Sequence, residues 1–150
     1  MRGCAGCSAR QVSCAASSTG RLSTRTTRVD VDDEPALLDG VALLAGEPRA
    51  RYVHAVPGAA ADVLDAWRGV LGDRAWVAGR EEAIASGVFG AVGEGMAARI
   101  GDVVVLVRGP WAVTASATEP GPSRLAAYHG SLTAAEVAIP LLLARGRALG

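Results

Sequence analysis

The residues that could do chemistry are few, and their spacing says which chemistry is open. Only two histidines occur. His54 lies inside R-A-R-Y-V-H-A-V from Arg49 to Val56, where strand alternation puts it on the face opposite Val53, so a satisfied strand histidine is expected. His129 stands in Y-H-G-S, after a polar stretch holding two prolines and before a helix start, so its ring is expected to project from a loop. A neutral imidazole is a common zinc ligand, and a following glycine lets the backbone approach a metal closely. Asp30, Asp32 and Asp33 form D-x-D-D, chemistry suited to a hard cation, but their place before a helical pattern favours N-capping. Thr114, Thr118, Ser131 and Thr133 are available hydroxyls; none has an adjacent base in the pattern, and Ser131 or Thr133 reads as the cap of the last helix. Cys4, Cys7 and Cys14 include one C-x-x-C pair. No second pair or histidine pair follows at zinc-knuckle distance, and no preceding strand sets a redox turn.

These groups must be positioned by the rest of the chain. Its 150 residues suit one domain, long enough to bury roughly 70% of its unfolded surface. Half the residues are hydrophobic, though 30 of those are Ala, which leaves 45 larger side chains for a compact α/β core. All 15 basic residues are Arg: five of them, with no acid, fall in residues 1–28, and ten against fifteen acids follow. The first 28 residues are mostly Ser, Thr, Gly, Ala, Cys and Arg without apolar period, and are expected to be a disordered leader, a start-site or reading-frame artefact joined to a real domain. It lacks the apolar h-region of a secretory signal. The longest apolar run, Val137 to Ala144, contains Pro140 and is too short to span a membrane, so a soluble, cytoplasmic protein is expected. Five scattered Arg without aromatics read as a solvated tail, not a nucleic-acid surface.

From Val29 onward the pattern predicts a helix over Pro35 to Ala45, a strand over Arg49 to Val56, and a helix on the Val63, Leu64, Trp67, Val70, Leu71 stripe that ends at Gly72. A buried strand at Ala75 to Ala78, a brief helix from Glu81 and a glycine-rich loop from Gly87 to Gly101 follow. Asp102 to Arg108 and Trp111 to Ala115 are predicted as an antiparallel pair about Gly109-Pro110. A loop from Glu119 to Ser123, a short helix from Thr133 and an apolar segment at Ile139 to Leu143 complete the chain.

Taken together, R-V-D-V-D-D-E-P-A-L-L-D-G-V from Arg28, A-G-E-P-R-A-R-Y-V-H from Ala45, A-W-R-G-V-L-G-D-R-A-W-V from Ala66, R-E-E-A-I-A-S-G from Arg80, R-I-G-D-V-V from Arg99 and Y-H-G-S-L-T-A-A-E from Tyr128 resemble the carboxy-terminal third of bacterial alkaline-phosphatase-superfamily proteins. More narrowly, the chain is similar to the nucleotide pyrophosphatase/phosphodiesterase branch in its actinobacterial form. The resemblance covers about Arg28 to Leu143. It implies a partial alkaline-phosphatase-like sandwich over residues 29–150, a mixed sheet with flanking helices, and a two-zinc hydrolase acting on phosphate esters or nucleotides. In such enzymes a Thr or Ser alkoxide attacks phosphorus between two metals. The late H-G-S histidine ligates zinc, a role that passes to His129 alone. The family's D-H-G-M ligand turn would fall shortly before Arg28, where this chain has Ser17-Ser18-Thr19-Gly20, and the nucleophile has no match. The chain by itself is therefore expected to be inactive and to hold no zinc stably, since such groups act as a unit. The alternative is a non-catalytic small α/β binding or interaction module.

Overall fold

A computed structural model describes residues 26–93 and 95–138. Cys4, Cys7, Cys14, most of the expected leader and the apolar segment from Ile139 lie outside the described residues. The described body is mixed α/β, built on a four-stranded antiparallel sheet and a separate parallel pair.

The sheet runs β2 (Val41–Glu47), β3 (Ala50–Ala55), β5 (Val103–Val107), β4 (Ala75–Gly79), every neighbour antiparallel. β3 and β4 are both antiparallel to β5, so they point the same way, joined by helix α1 (Ala60–Leu71) with β5 inserted between them. That helix is where the apolar stripe puts it. Val63, Trp67 and Leu71 are buried against the sheet, and Gly72 ends the helix at φ +48°. The second face carries the short helix α2 (Arg80–Ala85) and the glycine-rich stretch after it, which bring Ala83, Phe89 and Ile100 onto Val104, Leu106, Trp76 and Tyr52. With both faces covered, β5 reads V-V-V-L-V, as a doubly buried strand should. Gly101 opens this strand against β3. A Cβ there would sit 2.7 Å from the Val53 amide nitrogen and 2.8 Å from its carbonyl oxygen, so only glycine fits.

Several expectations are corrected. No helix spans Pro35 to Ala45: single 3-10 turns occupy Val31–Asp33 and Pro35–Leu37, and the chain then enters β2. Leu37 is fully buried and its carbonyl accepts from Trp67 Nε1 at 3.2 Å, whereas Gly40, at φ +70°, breaks any continuing helix. Leu37, Val41 and Leu44 do face the core, but from a turn and a strand, because β3 offers a ladder from Val41↔Ala55 to Glu47↔Ala50, with one register shift between Val41 and Leu43. Nor do the strands at Asp102 and Trp111 pair with each other. β5 already has β3 and β4 on its two edges, and a strand has no third edge. Instead β6 (Trp111–Thr114) lies parallel to β1 (Thr27–Asp30), which begins two residues inside the stretch expected to be leader. Val29, Val31, Val113 and Ala115 join α1 and the sheet in one core. Where a loop was expected from Glu119, residues Pro120–Ser123 make one helical turn, α3.

The strand edges differ. At β4, the Arg68 side chain of α1 donates to Val77 O at 3.1 Å and pairs with Glu82 at 2.7 Å, so the outer carbonyl is covered. At β2, Leu43 is 57% exposed and the outer edge carries no strand among the described residues.

Candidate functional site

The tip of the β2–β3 hairpin meets the turn that carries His129. Gly46 takes φ +84°, Glu47 ends β2, and Pro48-Arg49 lead into β3. Across from them runs Tyr128-His129-Gly130-Ser131, followed by helix α4 (Ala134–Val137) with Thr133 at its N-cap position. His129 projects outward with its side chain 80% exposed, and its Nδ1 lies 3.7 Å from Glu47 Oε2. Gly130 takes φ +108°, and a Cβ there would stand 3.2 Å from the same carboxylate oxygen. Glu47, Glu119, Tyr128 and His129 line a cavity of about 240 Å³ together with Gly46, Pro48 and Pro122.

A buried ion pair holds the turn. Arg49 Nε and Nη2 donate to Glu136 Oε1 and Oε2 at 2.6 and 2.9 Å, with the two side chains 6% and 13% exposed. Its Nη1 donates to Gly109 O at 3.0 Å and Trp111 O at 2.5 Å. Glu136 also accepts the Ser131 amide at 3.2 Å and the Thr133 hydroxyl at 2.5 Å. Ser131 Oγ donates to Val107 O at 2.6 Å. Burial pushes the Glu136 carboxyl up, but Arg49, the Thr133 hydroxyl and the Ser131 amide together outweigh it and hold it at about 2. So low a value makes Glu136 a poor base for Thr133, the one hydroxyl beside a carboxylate in this turn. Thr133 does not cap α4 in the expected way, since its hydroxyl goes to Glu136 instead of accepting a helix amide.

The depressed carboxyl sets a pH dependence. Because the folded value lies below the ordinary 4.5, the stabilisation is complete above about pH 5 and fades as pH falls toward 2, for a total of about 3 kcal/mol. Urea unfolding of the parent and of Glu136→Gln across pH 2 to 7 measures it: the gap between them should be widest near neutrality and shrink in acid. A gap independent of pH would contradict the assignment.

The three aspartates do not gather around a cation. Asp30 Oδ1 accepts from the amides of Asp32 at 3.2 Å and Ser116 at 3.1 Å, and Oδ2 from the Thr114 hydroxyl at 3.1 Å. Asp32 Oδ2 accepts the Ala117 amide at 2.7 Å. Burial raises the Asp30 pKa, but the bonds from Ser116, Asp32 and Thr114 more than offset it, leaving the carboxyl below its ordinary value. Asp30 thus caps the 3-10 turn and ties β1 to the chain after β6. His54 sits half-buried in β3 opposite Leu43, and Thr118 is exposed.

A zinc centre wants about four donors. Among the described residues no three or more His, Cys, Asp or Glu side chains are grouped to hold a metal. His129 has Glu47 alone beside it, so these residues do not by themselves fit the two-zinc centre that the resemblance implies. No helix among the described residues is long and apolar enough to cross a membrane.

Arg49, Arg51 and Glu136 were not singled out by sequence, yet two signals marked them. Arg49 and Arg51 share the period-2 face of buried Val53, and T-A-A-E from Thr133 has capping-box spacing. In comparisons with known proteins, no family model matches the chain, and no curated protein matches it either.

Proposed function

We propose that this chain is part of a zinc-dependent phosphoric ester hydrolase of the alkaline-phosphatase superfamily, nucleotide pyrophosphatase/phosphodiesterase branch, and that it is inactive on its own. In this reading it contributes one imidazole, His129, and the frame that holds it, while the nucleophile and remaining ligands come from elsewhere. The observation that carries the reading is the setting of His129: outward-facing on the Tyr128–Ser131 turn, with a carboxylate 3.7 Å from one ring nitrogen. Carboxylates beside a ring nitrogen orient metal-binding histidines.

The test is a zinc titration followed by the ring signals of the two histidines, with His54 as reference. Zinc should shift the His129 signals first and reversibly, at a weak affinity abolished in His129→Ala. After dialysis the chain should retain less than one zinc and should not hydrolyse a chromogenic phosphodiester above buffer. Equal responses of both rings, or turnover with one or more zinc per chain, would sink the reading.

A second reading, a self-sufficient non-catalytic α/β module, is favoured by the cover on both sheet faces and by Arg68, which occupies the Val77 carbonyl on the β4 edge. The exposed Leu43 on the uncapped β2 edge favours the fragment instead. A thermal melt with light scattering separates them. Cooperative, scatter-free unfolding of a monodisperse species supports the module, and early scattering relieved by Leu43→Arg supports the fragment.

A further inference from the structure

We propose that Arg49 and Glu136 are positioning residues for His129: their ion pair fixes the Tyr128–Thr133 turn against the hairpin tip and so sets the imidazole beside Glu47. The inference deepens the proposed role of His129, but its geometry and its test need neither metal nor substrate.

Three observations converge on it. First, the pair joins the two segments that carry the dyad. Arg49 lies two residues after Glu47, and Glu136 accepts the amide of Ser131, two residues after His129. A bidentate guanidinium–carboxylate contact has one favoured plane and separation, so it fixes both orientation and distance between its carriers. Second, both partners are heavily engaged. Arg49 spends its remaining Nη1 on Gly109 O and Trp111 O, anchoring the pair to the start of β6, and Glu136 uses both oxygens on Arg49 as well as on Ser131 and Thr133. So densely bonded a network is rigid, and it transmits its rigidity to the backbone amide it holds. Third, among the described residues the turn's other ties are the Tyr128 ring, 5.8 Å from the Arg28 guanidinium and upstream of His129, and the Ser131 hydroxyl on Val107 O. This bond anchors Ser131 to β5 but leaves the direction of the chain through Gly130 to the Glu136 contact. Gly130 at φ +108° permits the close approach to Glu47 and, lacking a side chain, does nothing to hold it. Among the described residues the exposed ring makes no hydrogen bond of its own, so its place depends on the backbone beneath it.

The experiment uses the full chain and its two histidine ring signals. Glu136→Gln keeps the size and one acceptor oxygen while removing the charge. The His129 ring signals should move toward those of a free H-G-S peptide, the Ser131 amide should exchange about tenfold faster or more, the loss expected for one charge-assisted hydrogen bond, and His54 should stay unchanged. Glu136→Asp, whose shorter arm reaches Arg49 or the Ser131 amide but not both, should give an intermediate displacement with the fold intact. It also stands in if the glutamine variant does not fold. The proposal is overturned if the His129 signals stay at their parent positions in the folded variants, or if both histidines shift together, which would make the pair a support of the whole body and not of the turn. A failed zinc titration with this result intact would overturn the function alone.

Discussion

Replacing Arg51 by Met should cost about 3–4 kcal/mol, among the largest effects of any single substitution in this body. The side chain is fully buried, which a guanidinium tolerates only with its donors engaged. Its Nε donates to Val113 O at 3.0 Å and its Nη1 to Gly46 O at 3.4 Å. Its Nη2 stands 2.8 Å from Glu119 Oε2 but off the direction of an N–H, an ion pair more than an aligned hydrogen bond. Methionine matches the stem and fills most of the space, so the cavity term is small. What remains is two carbonyls left without donors and a carboxylate without its cation. Glu119 is 27% exposed on its side chain and can turn to water, which keeps the estimate at the lower end for a broken buried pair. Against a total stability of about 5–15 kcal/mol this is a large share. Urea unfolding should show a lower midpoint at unchanged slope, and Arg51→Met with Glu119→Gln should be no worse than the single change. A loss below about 1 kcal/mol would mean that the arginine only fills space.

Where period and location agreed, the sequence was easy to read. The α1 stripe, the strand at Ala75 and the doubly buried run of β5 are each set by burial against a neighbour next to them in space, and each falls where its pattern puts it. Leu37, Leu38, Val41 and Leu44 failed because their spacing suits a helix, while what decides the matter is pairing with β3, a contact no local pattern records. The partner of β6 failed for a related reason: adjacency in sequence suggested β5, but both edges of β5 are occupied by strands whose order follows from the crossover through α1.

At the candidate site the same division holds. His129 on an outward turn was legible from Y-H-G-S, since Gly and the polar stretch before it define a loop. Its support was not, because an arginine reads as surface until the face it shares is known to be buried. Only the alternation with Val53 puts Arg49 and Arg51 inside, and the 3-10 turn that hides Leu37 carries a helical spacing that points to a longer element than the one formed. The zinc ligand set that the resemblance implies is a property of several distant segments, of which the described residues supply one imidazole and a nearby carboxylate.

Gly46→Ala should be comparably damaging, about 3 kcal/mol, and its coupling to Arg51 makes it informative. Gly46 sits in β2 opposite Arg51 with φ at +84°, where an L side chain meets its own carbonyl at a cost of about 1–2 kcal/mol. An added Cβ would also fall 2.2 Å from Ala50 O and 3.2 Å from Tyr52 Cδ2. The first contact is with backbone, so relief requires the hairpin tip to open, and such overpacking adds about 1–3 kcal/mol. Opening the tip carries Gly46 O away from Arg51 Nη1, so part of what Arg51→Met removes is already lost in Gly46→Ala. The double variant should therefore be less destabilised than the two singles imply, by at least about 0.5 kcal/mol, the range for residues sharing a hydrogen bond. Strict additivity in that cycle would show that the buried guanidinium holds β6 and Glu119 without drawing on the hairpin tip.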